Sequence, residues 1–188
     1  ALKEKDHGKR ANLLVSLAKA SGIDPFHRKP TDPPVDSKMG RKIINSLLQI
    51  KWDKLNGEEQ LALVRAYQVA MVRFGKPSKE SGQRIIQQLD PRFPDERFEM
   101  NWLLCETLSF LEAPSAAKKG IALLMEAPTQ EEQMEYARSL RTLKTGWNKK
   151  LRTQYFNWFL KAANYRGGAS FTKFIEFIRN DAVASLSA

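Results

Sequence analysis

Asn56-Gly-Glu-Glu-Gln-Leu-Ala-Leu-Val-Arg-Ala-Tyr-Gln-Val-Ala-Met-Val-Arg-Phe-Gly-Lys-Pro77 decides the fold class. Asn56 has a side chain that accepts from the free N–H groups at a helix start. Glu59 stands three places on, where its carboxylate can answer the Asn56 N–H. Beyond that box, Leu61, Val64, Tyr67, Met71 and Phe74 recur every three or four residues, the period of one helix face. Gly75 and Pro77 close the segment, because glycine is favoured just past a helix end and proline cannot continue one. The stretch predicts one amphipathic helix with both ends marked.

The same pattern extends in both directions. Upstream, Asn12 to Ala20 is a first amphipathic stretch, and Ser21 to Asp36, with four prolines, reads as a loop. Met39 to Ile50 places Ile43, Ile44, Leu47 and Leu48 on one face. Downstream, a short helix over Ser81 to Leu89 stops at Asp90-Pro-Arg-Phe-Pro94, a turn bracketed by prolines. Asp95 to Leu111 and Ser115 to Glu126 follow, and Thr129 with Glu132 forms a capping box for Thr129 to Leu143. Lys144-Thr-Gly146 breaks the chain, and Asn148 caps Lys149 to Ala163, with Leu151, Tyr155, Trp158 and Phe159 as its stripe. After Arg166-Gly-Gly168, Ser170 caps a last helix whose inner face is Phe171, Phe174, Ile175, Ile178 and Ala182.

No period-two alternation occurs, so the expectation is an all-α fold of about eight helices joined by short connectors. Successive helix pairs of 30 to 45 residues suggest a HEAT-like α-solenoid, with a compact helical bundle as the alternative. Residues 1–188 read as a single helical domain: 1–36 as an N-terminal helix plus the proline-rich loop, and 37–188 as HEAT-like helix pairs.

At 188 residues, 42% hydrophobic and 28% charged, the chain has the composition of a globular protein. No apolar run is long enough to span a membrane. Ala1 to Arg10 is charged and has no apolar core, so no secretory signal is expected there. The absence of an initiator Met points to a processed product or a piece of a longer chain. The net charge is +10, with +6 over residues 1–51, −2 over 52–143 and +6 over 144–188. Such a layout suits nucleic acid, acidic lipid or an acidic protein, or a solvated face kept soluble by its charge.

Catalytic signals are lacking. The single cysteine, Cys105, excludes an internal disulfide and any multi-cysteine metal site, and its place in Trp102-Leu-Leu-Cys-Glu-Thr-Leu108 reads as a buried thiol. His7 and His27 each lack a partner ligand at helical spacing. Gly167-Gly168 lacks the strand and lysine of a phosphate loop, and Ser170 after it reads as a cap rather than a nucleophile. Glu58-Glu59 and Glu131-Glu132 favour the helix dipole. No catalytic residue, metal or cofactor is therefore expected. Trp147, Lys149, Lys150, Arg152, Tyr155, Trp158, Lys161, Tyr165 and Arg166 interleave aromatics with cations, as single-stranded nucleic acid sites do. Helical spacing favours the plainer reading, with the aromatics inside and the cations in water.

Leu89-Asp-Pro-Arg-Phe-Pro94, Ala127-Pro-Thr-Gln-Glu-Glu-Gln133, Tyr136-Ala-Arg-Ser-Leu-Arg141, Gly146-Trp147, Arg152-Thr-Gln-Tyr-Phe-Asn-Trp158, Gly167-Gly-Ala-Ser-Phe171 and Ile178-Arg-Asn-Asp-Ala-Val183 together carry a likeness. Their order and spacing resemble the HEAT-repeat region of large multidomain proteins from planctomycetes and their relatives. In those proteins the region lies between a dehydrogenase-like propeller and a c-type cytochrome domain. The likeness is dense over 85–186. Over 1–84 it is thinner, where Leu63-Val-Arg-Ala-Tyr67 and Arg73-Phe-Gly-Lys-Pro77 still match.

The resemblance implies an exported, periplasmic or envelope-associated parent, in which Trp147, Tyr155, Trp158, Gly167, Gly168 and Phe171 belong to the recurring structural pattern. The covalent haem motif lies in the following domain and is absent here. The expected function is a non-enzymatic scaffold for neighbouring domains or a partner protein, such as a cytochrome domain. Lys149, Lys150, Arg152, Lys161 and Arg166 are its candidate docking surface. The alternatives are a nucleic-acid-binding HEAT-like domain, including a DNA-glycosylase-like one, and a small-molecule or haem pocket between helices.

Overall fold

A computed structural model of the chain describes residues 1–24, 27, 29–32 and 34–186. Among the described residues there are nine α-helices and two short 3-10 turns, with no strand. The fold is all-α, as the periodicity predicts. The chain divides into two compact units, Ala1–Gln88 and Leu89–Ala188, a break that the proline-rich segment does not mark. Within that segment, Pro25, Phe26, Arg28 and Pro33 lie outside the described residues.

The first unit contains α1 (His7–Ser21), α2 (Ser37–Leu47), a 3-10 turn (Trp52–Lys54), α3 (Gly57–Phe74) and α4 (Lys79–Leu89), whose last residue crosses the boundary. The helix starts follow from capping side chains. Asp6 accepts from the Lys9 N–H at 2.8 Å and Asp36 from the Lys38 N–H at 2.8 Å. The Asp6 cap starts α1 five residues earlier than its apolar pattern suggests. At α3 the full box forms: Asn56 Oδ1 accepts from the Glu59 N–H at 3.0 Å, and the Asn56 N–H donates to Glu59 Oε2 at 2.9 Å.

Helix α3 is the centre of this unit, since both α1 and α2 pack on it. Its buried set is Leu63, Val64, Ala66, Tyr67, Ala70 and Met71, broader than the predicted stripe, and Leu61 and Phe74 lie at its margin, half-buried. Two neighbours on one helix cover two faces, which explains the widening. Each fully buried Leu or Ile here contributes roughly 1.5–3 kcal/mol. Tyr67, fully buried in this core, keeps its hydroxyl satisfied by donating to Gln88 Oε1 at 2.6 Å. Gln88 Nε2 in turn donates to the Ile50 carbonyl at 2.9 Å.

The second unit contains a 3-10 turn (Asp90–Arg92), α5 (Phe98–Phe110), α6 (Ala116–Glu126), α7 (Gln130–Leu140), α8 (Lys149–Ala162) and α9 (Phe171–Ala184). The Phe93–Pro94 peptide is cis. Helix α5 starts later than its sequence suggests. Asn101 reaches back to the 95–97 segment, accepting from the Asp95 N–H at 2.7 Å and donating to the Asp95 carbonyl at 2.6 Å. That exchange holds Asp95 outside the helix.

Contacts in this unit join each helix to its successor or to the next but one. Helix α5 packs on α6 and α7, α6 on α7 and α8, and α9 on α7 and α8. The core contains Met100, Leu103, Leu104, Cys105 and Leu108 of α5 with Ile121, Leu124, Ala137, Leu140 and Tyr155. At the margin, α9 buries only Ile175, Ile178 and Ala182. Phe171 is half-buried and Phe174 is 39% exposed, so the inner face is narrower than expected. Ser170 occupies the N-cap position in helical backbone geometry and makes no side-chain cap.

Two connectors are tied together. Glu112, at φ 59°, directs its carboxylate to the Lys144 and Thr145 N–H groups at 3.0 and 3.1 Å. Gly146, at φ 75°, packs against the Pro114 carbonyl, where no side chain would fit.

Close packing makes Gly120 intolerant. A methyl group there would meet Leu140 Cδ2 at 2.9 Å and Cys105 Sγ at 3.1 Å. Gly120→Ala is expected to destabilise by about 1–2 kcal/mol, overpacking outweighing the helix-propensity gain. Gly168→Ala, with nothing within 4 Å, should change stability by less than about 0.5 kcal/mol. Urea unfolding of the two variants checks the contrast.

Burial pushes the Cys105 thiol from its ordinary 9.0 up to about 12. Below 9.0 neither state ionises. Between 9.0 and about 12 the unfolded chain releases a proton that the folded chain keeps, so stability falls as pH rises, by roughly 1.4 kcal/mol per unit. Cys105→Ala should reduce the slope in that window by this amount, leaving the part due to the raised phenols of Tyr67, Tyr136 and Tyr155. Urea midpoints measured across it provide the test.

Candidate functional site

Helix α8 combines a buried aromatic stripe with the most one-sided charge in the second unit. Asn148 starts it, its Oδ1 accepting from the Leu151 N–H at 2.9 Å. Tyr155, Trp158, Phe159 and Ala162 form the buried stripe, and Leu151 is half-buried. The polar ends of the aromatics are satisfied inside. Tyr155 donates its hydroxyl to the Ala137 carbonyl at 2.7 Å, and burial holds that phenol far above its usual range.

Trp158 donates its indole N–H to Gln133 Oε1 at 3.1 Å. The same oxygen accepts from the Tyr165 hydroxyl and, at 3.3 Å, from Lys161 Nζ. Gln133 Nε2 completes the junction by donating to the Ala127 carbonyl at 2.7 Å. One buried amide thus joins α7, α8, the α6–α7 connector and the chain after α8. Sequence reasoning missed it, because Gln133 sits in a polar Gln-Glu-Glu-Gln run that reads as a helix start.

Trp147 stacks beside Tyr155, with ring centres 5.4 Å apart, and donates its indole N–H to the Leu143 carbonyl at 2.8 Å. Gly167 lies against the Phe171 ring, and Gly168 is open to solvent. The aromatics that the sequence left between core and base-stacking are therefore turned inward.

The candidate cations do not form one cluster. Arg152 lies over the Trp147 ring at 4.1 Å and donates to Ser185 Oγ at 3.2 Å, and burial lowers its pKa. Lys149, Lys150, Lys161 and Arg166 are exposed. The Arg166 carbonyl accepts from Gln130 Nε2 at 2.7 Å, which places it at the start of α7. Helical spacing sets Lys150 and Lys161 on a single stripe of α8, with Gln154 and Asn157 between them, and sends Lys149 and Arg152 to other sides. By unit, the net charge is concentrated in the first: 17 Lys/Arg against 9 Asp/Glu gives +8, while 14 against 12 gives +2 in the second. The acids of α5 to α7 offset the basic tail of the sequence.

Two hollows open beside α8. One, of about 250 Å³, lies between α6 and α8 and is lined by Leu124, Met125, Gln133, Gln154, Asn157, Trp158 and Lys161. A smaller one, of about 150 Å³, lies between α8 and α9, with Phe159, Tyr165, Glu176 and Arg179 in its wall. Among the described residues no three His, Cys, Asp or Glu side chains gather as a metal site, and no helix is long and apolar enough to cross a membrane. Comparison with known protein families, with curated proteins and with solved structures gives no match.

Replacing Gln133 by Leu would leave the Trp158 and Tyr165 donors and the Ala127 carbonyl without a partner. The expected loss is about 2–4 kcal/mol, against about 1 kcal/mol for Tyr165→Phe, which removes one donor. Urea unfolding followed by tryptophan fluorescence checks both values.

Proposed function

We propose that this chain is a non-enzymatic, HEAT-like helical-repeat scaffold whose second unit docks an acidic protein through helix α8. The observation that carries this reading is the charge of α8. Lys149–Ala162 contains Lys149, Lys150, Arg152 and Lys161 and no acidic residue. Lys149 and Lys150 stand in its first turn, at the positive end of the helix dipole, where cations are disfavoured. Helices α3, α4, α5 and α7 place acids in that turn, whereas α1, α2, α6 and α9 lack them as α8 does. What sets α8 apart from the other helices of the second unit is the absence of any acid along its whole length, which leaves the exposed Lys149 and Lys150 to attract an acidic surface.

The repeat assignment draws on the contacts of the second unit, where helices alternate between two sets: α5, α7 and α9 in one, α6 and α8 in the other. Stacked helix pairs produce that alternation. The resemblance to the HEAT region of exported multidomain proteins adds the expectation of a periplasmic or envelope-associated parent, with a cytochrome domain or similar acidic protein as neighbour. The nucleic-acid reading loses its stacking platform, since Tyr155 and Trp158 are buried.

Fluorescence anisotropy with labelled poly-glutamate and labelled single- and double-stranded DNA, at low and moderate salt, tests the proposal. Poly-glutamate should bind, weaken with salt, and weaken about tenfold further on Lys149→Glu with Lys150→Glu, at an unchanged or raised melting temperature. Absence of poly-glutamate binding at low salt, or tighter binding of DNA with a steep salt dependence, would sink it.

A further inference from the structure

The stripe Lys150, Gln154, Asn157, Lys161 runs along α8 at intervals of four, three and four residues, so the four side chains lie within a narrow arc of one face. Two cations hold its ends and two amides its middle. Beside the middle lies the 250 Å³ hollow, whose apolar wall is Leu124, Met125 and Trp158. Met125 is 43% exposed, so the apolar wall of the hollow is open to an incoming side chain. Among the described residues the side-chain amides of Gln154 and Asn157 have no hydrogen-bond partner in the protein, although both face the hollow.

We infer that this groove between α6 and α8 binds an extended acidic peptide segment carrying one apolar side chain. The inference rests on the docking role proposed above and names the occupant. Each part of the groove selects a feature of it. An amide side chain offers one acceptor and two donors, so Gln154 and Asn157 can each pair with the N–H and C=O of a peptide backbone. A segment already paired in its own helix or sheet has no such groups free. An extended one does.

Lys150 and Lys161 are separated by about 16 Å along the helix axis at 1.5 Å per residue. An extended chain covers that distance in about five residues at 3.3–3.4 Å each. Acidic residues four to six positions apart therefore reach both ammonium groups, which a small carboxylate ligand cannot do. Between them, one Leu, Met or Phe of the peptide enters the hollow against Met125, Leu124 and the Trp158 ring. Lys161, whose ammonium already donates to Gln133 Oε1 at 3.3 Å, is held at the rim with donors to spare.

The test uses the full chain and three labelled probes in anisotropy: Glu-Glu-Gly-Leu-Gly-Glu-Glu, the same peptide with Ser in place of Leu, and poly-glutamate. The leucine peptide should bind about tenfold more tightly than the serine peptide. Asn157→Ala and Gln154→Ala should each weaken it about five- to tenfold, and Met125→Asp should abolish the preference for leucine. All three residues are at the surface or its margin, so melting temperatures should stay near that of the unmodified chain and separate lost binding from lost folding. Equal affinity for the three probes, with no effect of Asn157→Ala, overturns the groove inference and leaves acidic docking intact. Failure of every acidic probe overturns both.

Discussion

The second unit depends on one buried hydrogen-bond acceptor. Gln133 Oε1 receives the indole of Trp158, the hydroxyl of Tyr165 and the ammonium of Lys161, while its own amide nitrogen closes on the Ala127 carbonyl. Apolar packing alone fixes how deep a helix sits but only loosely its rotation, because hydrophobic contact is non-directional. The directional bonds from Trp158 to Gln133 and from Tyr155 to the Ala137 carbonyl fix the rotation of α8 about its axis. Once that angle is set, the faces that remain outside are determined as well: the Lys150-to-Lys161 stripe over the α6 groove, and Arg152 over Trp147.

The helical class and most helix positions were legible because they rest on local chemistry. Asn56, Thr129 and Asn148 cap where the pattern of acceptor side chains says they should, with Thr129 Oγ1 accepting from the Glu132 N–H at 3.2 Å. Errors at helix ends arose where a long-range or weaker partner intervened. Asn101 pulls Asp95 out of α5, Asp6 lengthens α1 without any apolar signal, and Ser170 stays uncapped because its backbone is already helical. Periodicity alone points Phe174 inward, yet periodicity does not reveal whether a neighbour exists on that side. At α9 the main neighbours are α7 and α8, and Phe174 stays 39% exposed.

The candidate site was legible in its charges and not in its geometry. The cations of α8 could be counted from the sequence, but their division among separate faces could not be taken from a list. Gln133 gave no signal, since a glutamine near a helix start is ordinarily solvated. The groove had one readable trace, the four-three-four spacing of Lys150, Gln154, Asn157 and Lys161 with no acid among them. The Leu124 and Met125 part of its apolar wall comes from α6, a distant stretch of the chain, and only folding places it beside Trp158.

In the first unit, Glu59 does two things with one carboxylate. It closes the Asn56 box that starts α3, and it lies directly over Gly8 of α1, where any side chain would push the carboxylate out of the box. The first turn of α3 therefore serves as the seat on which α1 lands. Fraying at the start of α3 removes that seat, and displacement of α1 exposes the box to competing water. The two helix starts form a single cooperative latch, and amide protons in both should open to exchange together rather than in sequence.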